Sequence, residues 1–121
     1  MLAEQELTYR IRGCVFEVSR LLGSGFLEKV YEKALLKELS LQGLEARNQV
    51  PLAIHYKGGL VGEYIADIVV EDRILLELKA QADLSVAHEA QLINYLRASG
   101  RRVGLFINFT APKAVIKRFL V

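Results

Sequence analysis

Asp67 sits where an acid is costly. In Tyr64-Ile-Ala-Asp-Ile-Val-Val70 it is the one charged residue of a run that otherwise suits a central strand covered on both faces. A carboxylate buried there needs compensation. The next run, Ile74-Leu-Leu-Glu-Leu-Lys79, alternates so that Glu77 and Lys79 share a face with Leu75. If the link is the three residues 71–73, Val70 lies opposite Ile74 and Asp67 opposite Glu77; a two-residue loop would set Glu77 against Ala66 on the wrong face. Two carboxylates so placed repel by about 4 kcal/mol at a separation of about 4 Å and an effective dielectric near ~20. Lys79 offsets part of this. A divalent cation offsets more, since Mg²⁺ commonly sits on one or two carboxylates plus water and phosphate oxygens. A buried acid–lysine ion pair is the plainer account, and the strand pair alone leaves both open.

The helices on either side carry further candidates. Gly25, Glu28 and Tyr31 fall at i, i+3 and i+6, which turns Glu28 toward the inward face of a helix from Leu27 to Gln42. Taken alone, a capping glutamate in the first turn is the better account of it. His88, Gln91 and Tyr95 form one polar stripe on a helix from Val86 to Ser99, which would ordinarily be a solvent face. The first helix runs from Glu4 or Thr8 to Leu22, where Gly23-Ser24-Gly25 stops it. Strands are expected at Val50–Tyr56, Val61–Val70, Ile74–Lys79, Val103–Phe109 and Ala114–Val121. The order α-α-β-β-β-α-β-β predicts an α/β (α+β) fold: a mixed central sheet with a three-strand meander, flanked by helices.

At 121 residues the chain is expected to be one domain over 1–121. Its 52% hydrophobic and 25% charged residues are a globular balance. No apolar run approaches the roughly 18 residues of a bilayer span, and the early acids Glu4 and Glu6 do not fit a secretory leader. Cys14 stands alone, so an internal disulfide and a structural zinc site of the usual kind are excluded. A cytoplasmic setting without membrane contact is expected. Net charge is only +2, yet the six bases from Arg97 onward face no acid in that segment, whereas the stretch from Gly62 to Gln91 has seven acids, including Asp83, and two bases. A basic end could meet a polyanion or be an ordinary solvated surface.

Gly25-Phe-Leu-Glu28-Lys-Val-Tyr31 resembles the signature of the GxxExxY proteins, a small prokaryotic group of the PD-(D/E)xK nuclease-like superfamily. Asp67 followed by Glu77-Leu78-Lys79 is similar to the broader superfamily pattern, and Gln91-Leu-Ile-Asn-Tyr95 looks like the QxxxY element of its exonuclease branch. The chain departs from the pattern at Ser19, where relatives often carry His, at Ser24, where they carry Pro, and at Ala66, where the superfamily has Pro before the acid. The resemblance implies a restriction-endonuclease-like core and a nuclease that hydrolyses phosphodiester bonds of DNA with Mg²⁺ or Mn²⁺. It makes Asp67, Glu77 and the Leu78 carbonyl metal ligands, with Glu28 binding directly, through water or at a second site. Lys79 would orient the attacking water or stabilise developing charge, Gln91 would donate to a phosphate or to the carboxylates, and Tyr95 would brace it. Arg101, Arg102, Lys113, Lys117 and Arg118 would hold the DNA backbone. A homodimer would enlarge that surface. The rival reading is a catalytically silent module that binds nucleic acid or a protein partner.

Overall fold

The computed structural model describes residues 4–82 and 86–121; residues 1–3 and Asp83, one of the acids counted above, lie outside the described residues. Helices α1 (Gln5–Leu22) and α2 (Glu28–Leu41) precede strands β1 (Ala46–Tyr56), β2 (Gly59–Val70) and β3 (Ile74–Lys79). Helix α3 (Val86–Ser99), β4 (Val103–Asn108) and β5 (Val115–Leu120) complete the chain. The sheet order is β1-β2-β3-β4-β5, antiparallel throughout except for β3–β4. That parallel pair follows from the α3 crossover, which returns the chain to the same end of the sheet. The expected order and the mixed sheet are both present.

Two apolar layers cover the sheet. Ile11, Val15, Val18, Tyr31, Leu35 and Leu39 of α1 and α2 pack on Ile68, Val70, Ile74, Leu76 and Leu78 and on β4. Leu92, Tyr95 and Leu96 of α3 pack on Val69, Leu75 and Phe106 from the other side, with Leu52 and Ala66. Full burial of each such side chain contributes about 1.5–3 kcal/mol. Helix α3 approaches β4 at Gly104, where an added Cβ would come within 2.9 Å of Leu92. Among the described residues no helix is long and apolar enough to cross a membrane.

The central strand is β3, not β2. β2 pairs with β3 only over Ile68–Val70, and its earlier residues continue with β1 as a two-stranded ribbon. Leu60, Val61, Tyr64 and Ile65 are exposed there. The apolar run of β2 therefore covers core only at its end, because its ladder with β3 stops at Ile68↔Leu76. β1 begins at Ala46, earlier than expected, because Arg47 and Asn48 pair with β2 without any apolar alternation to announce it.

Candidate functional site

The loop before α2 is held by one side chain. The Tyr31 hydroxyl donates to the Gly23 carbonyl at 2.6 Å and accepts from the Phe26 N–H at 3.2 Å, and its ring stacks on Phe109 at 4.5 Å. Gly25 completes that loop at φ 105°, a conformation that favours glycine. The Gly25–Tyr31 signature is thus a latch that sets the first turn of α2, and Glu28 with it. The next residue, Glu32, is only 5% exposed and takes hydrogen bonds from Asn48 Nδ2 (3.1 Å) and Gln49 Nε2 (2.9 Å).

That brace coincides with a break in the sheet. Gln49 has φ 52°, and the β1–β2 ladder passes from Asn48↔Ile68 to Val50↔Ala66 without a 49–67 pair. Side-chain alternation resets here: Ala46, Ile68 and Val70 belong to the α1–α2 layer, but Val50, Leu52 and Ala66, of the same parity, belong to the α3 layer. Asp67 is the odd residue at the reset. Its Oδ2 accepts the Leu78 N–H at 2.8 Å, so the side chain reaches across toward β3 rather than to either helix layer. In return, Glu77 Oε1 accepts the Asp67 N–H at 3.3 Å. The β2–β3 ladder runs in the expected register up to Ile68↔Leu76, and carboxylates replace the next backbone partners. Removing the brace tests this arrangement. Glu32→Ala leaves two side-chain amides without their acceptor, and a loss of about 1–3 kcal/mol in denaturant unfolding is expected, partly recovered by Glu32→Gln. An unchanged midpoint would show that the kink forms without Glu32.

The electrostatics reflect the crowding. Burial, then the Asp67 carboxylate, push Glu77 up to about 8. Burial also raises Asp67, with smaller upward contributions from Glu28 and Glu32. Lys79 lowers both, yet among the described residues no ion pair joins its ammonium to either acid. Tyr95, on the buried face of α3, has its hydroxyl raised by burial and then by the Glu77 charge, and it is hydrogen-bonded to Gln91. Asp67, Glu77, Lys79, Gln91 and Tyr95 thus share one neighbourhood. Glu28 is near enough to act on both acids, but no three acid, His or Cys side chains among the described residues gather closely enough to hold a metal.

The basic residues do not share one face. Arg101 is tied to Asp72 at the β2–β3 turn at 2.5 Å, Lys117 to Glu89 at 2.7 Å, and Lys113 lies 5.6 Å from the Phe16 ring on α1. Arg102 and Arg118 are exposed, and Arg118 follows Lys117 on a strand, where neighbours take opposite faces. Reading the sequence missed Glu32 and the latch function of Tyr31. The available signal was an acid next to Tyr31, a residue on the apolar stripe of α2.

A family model for the PD-(D/E)XK nuclease superfamily matches residues 5–119. No curated protein matches the chain. Among solved structures, SSO0001 is similar with a TM-score of 0.61 at 18% identity, over 77% of this chain and 50% of that one. An alkaline exonuclease (LHK-Exo) from Laribacter hongkongensis is similar with a TM-score of 0.55 at 12% identity, over 92% of this chain and 69% of that one. The chain spans only half the length of SSO0001. At these identities the two structures speak for the fold, a restriction-endonuclease-like core, and the family match speaks for descent: the chain belongs to the PD-(D/E)XK nuclease superfamily.

Proposed function

We propose that the chain is a divalent-metal-dependent nuclease of the GxxExxY group, that it hydrolyses phosphodiester bonds of DNA with Mg²⁺ or Mn²⁺, and that residues 1–121 are one nuclease domain. One observation carries this reading: Asp67 and Glu77 face each other across β2 and β3, each with one oxygen on a backbone N–H of the opposite strand and each raised by burial. A structural ion pair would have Lys79 bonded to them, and it is not. An all-oxygen donor pair whose repulsion Lys79 relieves only in part fits a hard divalent cation.

Asp67, Glu77 and the Leu78 carbonyl would hold that ion, with Glu28 acting through water. When bound, it polarises the scissile phosphate and acidifies water. The remaining work belongs to side chains. Lys79, on the Glu77 face, orients the attacking water and stabilises charge growing on the phosphate oxygens. Gln91 donates to a phosphate oxygen, and its hydrogen bond with Tyr95 fixes its direction. Arg101, Arg102, Lys113, Lys117 and Arg118 supply long-range attraction to the backbone rather than a common binding face.

Calorimetric titration with Mg²⁺ and Mn²⁺ is expected to show binding to the parent protein and none to Asp67→Ala. A panel of DNA and RNA structures should show cleavage only with the metal present. A folded parent that binds neither ion and cleaves nothing in the panel would instead be a silent nuclease-fold module.

A further inference from the structure

The β1–β2 ribbon stands over α3 and leaves an open groove of about 520 Å³ against it, with His55, Tyr64, Asn94 and Arg97 on its walls. A pocket of this size suits a small ligand such as a mononucleotide. Among the described residues its lining holds a guanidinium, an imidazole and a primary amide and no carboxylate, so it attracts anions where the neighbouring acid pair repels them. Tyr64 is 49% exposed, although its ring packs on Tyr95 at 5.1 Å between centroids. One side of this aromatic pair is therefore fixed and the other is open. Tyr95 in turn lies within the electrostatic reach of Glu77 and Asp67. Tyr95 thus adjoins Tyr64 on the groove wall and shares the electrostatic surroundings of the acids, which sets the groove on the same side of the fold as the proposed cleavage site.

We infer that this groove binds one unpaired nucleotide of the substrate strand, the base stacked on Tyr64 with its edge at Asn94 and a phosphate at Arg97. A paired base buries its faces in the duplex stack, whereas an unpaired base can lay one on an aromatic ring whatever its sequence. Asn94 has both a donor and an acceptor for a base edge, and Arg97 suits a phosphate through its forked donors. The substrate class that follows is single-stranded or frayed nucleic acid. This deepens the nuclease reading and rests on it for the position of the scissile phosphate.

The test is fluorescence anisotropy in metal-free buffer with labelled oligothymidylate, single-stranded and paired with oligoadenylate, followed by cleavage of both in Mg²⁺ and Mn²⁺. The parent should bind the single strand at least about tenfold more tightly than the duplex. Tyr64→Ala should weaken it by roughly fivefold to a hundredfold, the range of a lost stacking platform, while Tyr64→Phe keeps parental affinity. Arg97→Ala, at an exposed helix position, should weaken it about threefold and flatten its salt dependence; it decides the matter alone if Tyr64→Ala does not fold. Tyr9→Ala, an exposed aromatic on α1, should change nothing. Equal binding of duplex and single strand, or full affinity in both Tyr64→Ala and Arg97→Ala, overturns the groove. Metal-dependent cleavage by those same variants at the parental rate overturns the groove and leaves the nuclease reading intact. Single-strand binding that depends on Tyr64 and Arg97, with no cleavage in either metal, upholds the groove and overturns the nuclease reading.

Discussion

Metal-free protein is expected to lose a few kcal/mol of stability as pH rises from about 4.5 to about 8, and Glu77→Gln is expected to lose most of that slope, keeping the smaller part that Asp67 contributes. Glu77 has its proton affinity raised to about 8 in the fold from an ordinary 4.5, first by burial and then by Asp67. Between those values the folded chain keeps a proton that the unfolded chain has released, so unfolding becomes easier with each increment of pH. Below the window both states are protonated and the acid pair causes no penalty; above it both are ionised and the penalty is complete. Each unit of displacement corresponds to about 1.4 kcal/mol. Asp67 is raised in the same direction, so the pair titrates as one unit and steepens the decline. Glutamine keeps an oxygen for the Asp67 N–H and carries no charge, so the variant should outlast the parent at pH 8 and match it near pH 5. Mg²⁺ should restore the parent at pH 8 and leave Glu77→Gln unmoved. Urea midpoints at three pH values, with and without Mg²⁺, measure all of this. An equally steep decline in Glu77→Gln would assign it to another group.

The Asp67–Glu77 pairing could be read from the chain because it depends on local facts: a three-residue polar link, an apolar run on each side and period-two alternation. The device that aims Asp67 could not. Its parts are Glu32, Asn48, Gln49 and a missing ladder pair, which are far apart in sequence and leave no periodic trace. Strict alternation, followed from Val70 back to Tyr64, puts Tyr64 on the α1–α2 face; the reset at Asp67 puts it against Tyr95 instead. The ribbon shows a second limit. Leu60, Val61 and Ile65 are as apolar as core residues, and they stay exposed because the β2–β3 ladder stops at Ile68↔Leu76. The basic end shows a third. Six bases between Arg97 and Arg118 with no acid among them read as one basic end, but the Asp72–Arg101 and Glu89–Lys117 pairs bring acids from 29 and 28 residues away to two of them.

Lys79→Met is expected to leave the protein folded and able to bind metal while slowing cleavage at least ~100-fold, the usual scale for losing a proton-transfer or charge-stabilising group. The alternative is that Lys79 exists to neutralise Asp67 and Glu77. Breaking a buried pair typically costs ~3–5 kcal/mol, because one charge is left desolvated and alone. The acids here are instead held by backbone N–H groups, and Lys79 is half-buried with no bond to either. Its charge lowers the proton affinity of both from a distance. Methionine removes that influence, so the metal-free variant should soften slightly and shift its stability window, without the collapse of a broken pair. Lys79→Arg separates the two contributions of the ammonium: a guanidinium keeps the positive charge but does not give up a proton, so recovery of most of the rate would assign Lys79 to charge stabilisation. Parental cleavage by a folded Lys79→Met protein would remove Lys79 from the reaction. A loss of several kcal/mol in metal-free buffer, in a parent without nuclease activity, would make it the structural partner of the acids after all.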